Sequence, residues 1–105
     1  MERFEEAKAL LRKPISVALR ALGENHQFTL RMRWAYGRAL YRAEGATLDN
    51  FRESVETLED TQRIARRVLG GVHPVTTGIE DDLRNARPAL RAREAGHRVK
   101  FVKPK

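Results

Sequence analysis

Apolar side chains recur every three or four residues along most of this chain, the spacing that gives an α-helix one apolar face. In the first segment the recurring positions are Phe4, Ala7, Leu11, Ile15, Ala18 and Leu22. A later segment repeats the pattern at Phe51, Val55, Leu58, Ala65 and Leu69. With their flanking residues, these patterns predict four helices, over about 2–21, 29–43, 49–69 and 76–94.

Two glycines mark the ends of two of these helices. Gly23 and Gly70 each follow a leucine, and glycine readily takes the left-handed conformation that terminates a helix. Thr29 and Thr76 stand six residues further along and are the candidate N-caps of the helices that follow. Each stretch therefore predicts a helix end, a tight turn and a new helix start.

The same joint occurs twice in the chain. The stretches "LGENHQFTL" (22–30) and "LGGVHPVTT" (69–77) share Leu, Gly, His and Thr at the same offsets. Sliding the chain by 47 residues aligns further identical pairs, namely Phe4 with Phe51, Glu6 with Glu53, Leu11 with Leu58, Ala18 with Ala65 and Arg20 with Arg67. Such a period indicates stacked supersecondary units, with copies over about 4–29 and 51–76.

These joints, with the helix from Phe4 to Gly23, resemble the tetratricopeptide repeats (TPR) of kinesin light chains and their relatives. The family's units begin with a Leu-Gly-x-x-His-Pro-x-Thr-Leu pattern, and the resemblance covers about residues 4–95. It implies an all-α, right-handed solenoid of helical hairpins, here about four antiparallel helices, that binds proteins or peptides on a concave face. Where the family has cargo-binding asparagines, this chain has Trp34-Ala35 and Asp81-Asp82. That binding mechanism is therefore not expected, and the 47-residue offset is also longer than the family's period.

Composition agrees with a helical domain. Of the 105 residues, 41% are hydrophobic, 33% are charged and 7% are aromatic. Ala, Leu, Arg and Glu predominate, and all four have high or moderate helix propensity. The absence of cysteine excludes disulfides and thiol nucleophiles. The length suits one domain, residues 1–95, and we expect residues 96–105 to form a basic, flexible tail.

Motifs for membrane insertion, export and catalysis are missing. No apolar run approaches the roughly 18 residues of a membrane span, and the acidic start is unlike a signal peptide, so we expect a cytoplasmic protein without a transmembrane segment. The chain has no P-loop, dinucleotide fingerprint or HExxH motif. We expect no enzymatic activity, no catalytic residue, no cofactor and no metal. His26 and His73, at equivalent joints, are expected to be structural residues of the turns.

The formal charge of +7 is concentrated at one end of the chain. Residues 91–105 carry six basic side chains and one acidic side chain, a net charge of +5. The candidate anion-binding residues in this segment are Arg98, Lys100, Lys103 and Lys105. Binding of nucleic acid or an anionic surface through residues 91–105 is therefore the alternative function, and steep salt dependence would reveal it. Nucleic acid is the less expected partner.

The main hypothesis is a non-catalytic protein–protein interaction or scaffold module with an unidentified protein or peptide partner. Five side chains of the second helix are candidates for partner binding: Arg31, Trp34, Arg38, Tyr41 and Arg42. The alternative for the aromatic residues is burial in the core, and for the arginines a solvated helix face. The acidic run Glu80–Asp82 is expected only to complement the dipole at the start of the fourth helix.

The two ends of the predicted array differ. In the fourth helix, Arg84 and Arg87 occupy positions that are small or apolar in the second helix, so its outer face should be polar, with Leu83 and Ala86 buried. The apolar residues of the first helix cannot all be covered by the second helix. We therefore expect either self-association through this N-terminal helix or a longer natural chain. Pro14 should kink or break the first helix.

Overall fold

Four helices account for most of residues 2–96, the part of the chain that this computed structural model describes, with side chains from residue 5 onward. The helices are α1 (Glu2–Leu22), α2 (Gln27–Arg42), α3 (Leu48–Leu69) and α4 (Pro74–Glu94). No strand occurs within those residues, so the all-α prediction is confirmed. The candidate anion-binding residues Arg98, Lys100, Lys103 and Lys105 lie outside the described residues.

Histidines cap the N-termini of α2 and α4. The backbone N–H of Phe28 donates to His26 Nδ1, and that of Val75 donates to His73 Nδ1, each over 3.1 Å. The expected structural role of both histidines is confirmed, but the prediction that Thr29 and Thr76 are the N-caps is wrong. The helices begin two residues earlier than predicted because an imidazole nitrogen satisfies an amide that has no partner within the helix.

The other ends of the joints follow the predicted chemistry. Gly23 and Gly70 have φ values of +85° and +95° at the ends of α1 and α3, so the expected positive φ is confirmed. A reciprocal capping box starts α3: Thr47 Oγ1 accepts from the Asn50 N–H at 3.1 Å, and Asn50 Oδ1 accepts from the Thr47 N–H at 2.9 Å. Connections of four or five residues therefore make consecutive helices pack as neighbours.

Helix α1 is continuous from Glu2 to Leu22 although Pro14 lies inside it, so the predicted possibility of a break is wrong. A proline removes the hydrogen bond of its own nitrogen but leaves the bonds of the turns on either side. Leu11 and Ile15 are half-buried and Ala18 is buried on the side that packs against α2. This packing holds the two halves of the helix in one element.

The core lies between α2, α3 and α4. Its buried residues are Leu30, Tyr41, Ala46, Phe51, Val55, Leu58, Ala65, Val75, Ile79, Leu83, Ala86 and Ala89. Helix α1 joins at one side and packs against α2. The expected apolar face of α1 is only partly covered, because Leu22 and Ala7 remain exposed.

Two glycines allow α2 to pack closely against α3 and α4. A Cβ on Gly37 would lie 2.7 Å from Leu58 Cδ2, so the absence of a side chain at this position permits the close packing of α2 on α3. On α4, a Cβ on Gly78 would overlap the Trp34 ring at Cζ2. The backbone of α2 is also tied to α3, since Ser54 Oγ donates to the Gly37 carbonyl at 2.6 Å. Helix α2 therefore fills the groove that α3 and α4 form.

The outer face of α4 is polar, as predicted. Leu83 and Ala86 are fully buried, whereas Arg84 and Arg87 are exposed. The Arg87 guanidinium donates to Glu59 at 3.0 Å and 3.2 Å. This face therefore needs no further helix to cover it.

Candidate functional site

An apolar groove of about 670 Å³ runs along the side of the molecule where α1 meets α2. We call it the open groove, and its main apolar residues are Leu10, Pro14, Val17, Leu22, Phe28 and Met32, with Lys13 among them. Leu10 is 74% exposed and Phe28 is 54% exposed. Contiguous apolar surface of this kind marks an interaction site on a folded protein.

The open groove differs in part from the uncovered surface expected for α1. The sequence indicated Phe4, Leu11, Ile15 and Leu22. Leu11 and Ile15 instead turn toward α2 and are half-buried, Leu22 lines the groove, and the side chain of Phe4 is outside the described residues. The stripe Leu10, Pro14, Val17 and Ala21 also has helical spacing. Both stripes of α1 are apolar, so periodicity alone could not decide which one packs.

The open groove has an internal counterpart 47 residues later. Pro14, Val17, Phe28 and Met32 correspond to Thr61, Ile64, Val75 and Ile79, which belong to what we call the covered groove, between α3 and α4. Thr61 and Ile79 are fully buried and Val75 is 1% exposed. Equivalent surfaces therefore occur twice: α2 fills one of them, and within residues 2–96 no helix fills the other.

Three of the five predicted partner-binding residues donate hydrogen bonds to the Asp82 carboxylate on α4. Its Oδ2 accepts from Trp34 Nε1 at 2.6 Å and from Arg38 Nε at 3.1 Å, and its Oδ1 accepts from the Tyr41 hydroxyl at 2.5 Å. The Arg38 guanidinium also lies 4.9 Å from the centre of the Trp34 ring. These contacts join α2 to α4 across the covered groove.

The network changes the interpretation of these residues. Tyr41 is 2% exposed and is buried among the core residues, so its prediction as an accessible partner-binding residue is wrong. Burial, followed by the hydrogen bond to Asp82, raises the pKa of Tyr41 to about 12. Trp34 and Arg38 are partly exposed but are held by the same carboxylate. Arg31 and Arg42 are exposed and are not brought into this network.

The expectation that Glu80–Asp82 only complements a helix dipole is wrong for Asp82. This carboxylate is 6% exposed and serves as a shared acceptor, not as a surface charge. A signal was present in the sequence, because Val75, Ile79, Asp82 and Ala86 recur at helical spacing. A carboxylate in an apolar stripe indicates that donors from another helix will meet it.

A second polar network holds α1 in place. The Tyr36 hydroxyl donates to Glu53 Oε2 at 2.5 Å and accepts from Arg12 Nε at 2.9 Å. The buried Lys8 places its Nζ 3.8 Å from Glu53 Oε1. Burial, followed by the hydrogen bond to Glu53, raises the pKa of Tyr36. These contacts anchor α1 to α2 and α3 through polar groups, and they leave its apolar stripe facing outward.

Within residues 2–96 the side chains of His, Cys, Asp and Glu form no group of three that could hold a metal ion. None of the helices in that part of the chain combines the length and apolar character needed to cross a membrane. Comparisons with protein-family profiles, with curated proteins and with solved structures gave no match.

Proposed function

We propose that this chain is a non-catalytic protein-interaction module, a short solenoid of TPR-like hairpins resembling those of kinesin light chains. It binds a protein or peptide partner in the open groove. The observation that carries this proposal is the pair of equivalent grooves, one filled by α2 and the other open. Because the covered groove buries a helix, we expect the equivalent open groove to be suited to burying a helix as well.

The repeated joints support the solenoid part of the proposal. Both are built from a positive-φ glycine and a histidine that caps the next helix, 47 residues apart. In repeat proteins each unit buries its apolar faces against its neighbours. The polar outer face of α4 matches the expected character of a terminal unit, with exposed Arg84 and Arg87.

The chemistry of the open groove supports the interaction part. Its residues are apolar and exposed, and they lie on two helices whose relative position is fixed by the Glu53 network. A preformed groove avoids the entropy of ordering a loop when a partner binds. Helix-in-groove recognition uses anchors at helical spacing on the partner.

A second candidate function is binding of nucleic acid or an anionic surface through residues 91–105. The observation that favours it is the concentration of six basic side chains against one acidic side chain in that segment. Such binding would weaken steeply with salt, because it depends on release of counterions.

Capture from native cell lysate tests the proposal. The bait proteins are the wild type, Val17→Asp in the open groove, Val72→Asp as a matched control at another exposed valine, and a chain without residues 97–105. We expect a set of proteins retained by the wild type, the control and the shortened chain but lost with Val17→Asp. Retention that depends on residues 97–105 and falls steeply between about 50 and 200 mM salt would favour the second function instead. Melting curves by circular dichroism establish that each variant is folded.

A further inference from the structure

We propose that the occupant of the open groove is an acidic amphipathic α-helix supplied by a partner protein. This inference rests on the proposed function and names the chemistry of the partner. Two observations support it: the packing of α2 in the covered groove, and the charges that differ between the two grooves.

The covered groove defines the shape of the occupant. Helix α2 enters it with Leu30, Trp34, Gly37 and Tyr41, which are spaced by four, three and four residues. Leu30 and Tyr41 are buried, and Gly37 brings the α2 backbone close to Leu58. The open groove has a corresponding wall, with Leu10 at the position of Thr57, the other α3 side chain that lies beside Gly37. An occupant with one apolar stripe at this spacing therefore fits both grooves.

The charges around the two grooves differ. In the covered groove, α4 offers the Asp82 carboxylate to Arg38 of α2. The position equivalent to Asp82 is Ala35, so the open groove lacks this acceptor. Asp60 of α3 corresponds to Lys13, which lines the open groove.

Helix α2 contributes a second cation. The position equivalent to Gly78, where Trp34 packs on α4, is occupied by the exposed Arg31. Glu6 is an acidic residue of the same helix as Lys13 but lies two turns away from it. The open groove thus has one cation, Lys13, among its lining residues and a second, Arg31, on the helix that forms its other side, and it lacks the carboxylate that Asp82 gives to the covered groove. Electrostatic complementarity then requires acidic side chains along the flanks of the incoming helix.

A second copy of this chain does not fit these charges. Helix α2 has the right apolar stripe, but it carries four arginines and no acidic residue, and its stripe is already buried in the covered groove. Two copies joined groove to groove across a two-fold axis would bring Lys13 and Arg31 of one copy toward the same cations of the other. Such like-charge contacts oppose self-association through this face.

Selection from a display library of helical peptides tests the inference. The peptides keep an apolar stripe at the α2 spacing, and their flanking positions are randomised among Glu, Lys, Gln and Ala. We expect enrichment of Glu at the flanks that face Lys13 and Arg31. Enrichment of Lys, no preference at the flanks, or no bound helix would overturn the inference.

Charge-reversed proteins make the test specific. Lys13→Glu/Arg31→Glu should weaken binding of a selected acidic peptide by about tenfold or more and should favour its Glu-to-Lys counterpart. Arg63→Glu/Arg67→Glu is the matched control, with the same change in net charge on the exposed face of α3, and should leave the peptide preference unchanged. An equal loss in the two double variants would show that the attraction is not local to the groove, and would overturn the inference.

Two further measurements separate this inference from the proposed function. Sedimentation that shows a dimer abolished by Val17→Asp would assign the groove to a second copy, and the acidic-helix inference would fail. Groove-dependent capture from lysate without an acidic preference in the library would leave the proposed function in place and remove only this inference. Capture that does not respond to Val17→Asp would remove the proposed function itself.

Discussion

The covered groove and the open groove are built from equivalent positions 47 residues apart, but among the helices of residues 2–96 one fills the covered groove and none fills the open groove. Val75 in the covered groove is buried, whereas its equivalent Phe28 is more than half exposed. The covered groove also has two features without a counterpart: Gly78 receives the Trp34 ring, and Asp82 accepts the polar groups of α2. In the open groove these positions are Arg31 and Ala35.

The two grooves therefore share one backbone arrangement but differ in the side chains that would contact a bound helix. The apolar lining recurs at equivalent positions, and burial of apolar surface is the general force by which such a groove would hold a helix. Only the covered groove has the two residues that select its helix. Gly78 leaves room for the Trp34 ring, and Asp82 accepts hydrogen bonds from the donors of α2. The following substitutions test this comparison, in order of decreasing effect.

The largest difference in the free energy of unfolding is expected between aspartate substitutions at the equivalent positions Val75 and Phe28. Val75→Asp buries an unpaired carboxylate and should lower the free energy of unfolding by about 5 kcal/mol, enough to unfold the chain. Phe28→Asp should change it by no more than about 0.5 kcal/mol, because this side chain faces solvent and a carboxylate suits the first turn of a helix. Urea unfolding followed by circular dichroism measures both. Similar costs at the two positions would mean that the open groove is covered after all.

Removal of the shared acceptor should be the next largest effect. Asp82→Ala leaves the Tyr41 hydroxyl, the Trp34 indole N–H and Arg38 without their carboxylate, and should cost about 3 kcal/mol. The control is Asp81→Ala, which removes only an exposed contact with Arg84 and should cost about 0.5 kcal/mol or less. Thermal and urea unfolding of the two variants should separate them clearly. Equal values would argue against a structural role for the Asp82 network.

A methyl group at Gly78 should act through steric overlap. Gly78→Ala places a Cβ against the Trp34 ring and should cost about 2 kcal/mol, although alanine is otherwise the better helix former. Arg31→Ala at the equivalent position should change stability by no more than about 0.5 kcal/mol. Trp34 is the chain's one tryptophan, so its fluorescence reports the displacement directly. An unchanged emission spectrum in Gly78→Ala would contradict the close packing.

The last effect is absent near neutral pH and is expected only at high pH. The pKa of Tyr41 is raised to about 12 in the fold, above the ordinary value of 10.0, so the folded state retains a proton that the unfolded chain loses. Stability from this group is therefore complete below about pH 10 and declines as the pH rises toward 12. Tyr41→Phe should flatten this part of the pH profile of unfolding, whereas Phe28→Tyr, a new exposed hydroxyl, should leave it unchanged. A wild-type profile that is already flat from pH 10 to 12 would refute the shift.

Local sequence was sufficient to predict the helices and the joints between them. Helical periodicity, positive-φ glycines and the 47-residue repeat depend on residues close together in the chain, and the predicted helices match α1 to α4 to within a few residues. The polar face of α4 was also predictable, because Leu83 belongs to the apolar stripe of a simple amphipathic pattern and Arg84 lies outside that stripe. The capping histidines were assigned to the turns correctly, although their role as N-caps depends on the orientation of the imidazole rings.

Tertiary structure decided what could not be read from neighbouring residues. Asp82 meets Trp34 across 48 residues and Tyr41 across 41 residues, so its role as a buried acceptor arises only when α2 and α4 are brought together. Helix α1 has two apolar stripes, and the polar contacts of Tyr36 and Glu53 determine which one packs and which one lines the open groove. Residues close together in the chain are enough to set the helices and their repeated joints, because backbone conformation responds to local side chains. Only the packed structure decided which groove is filled, because burial and charge pairing depend on partners distant in sequence.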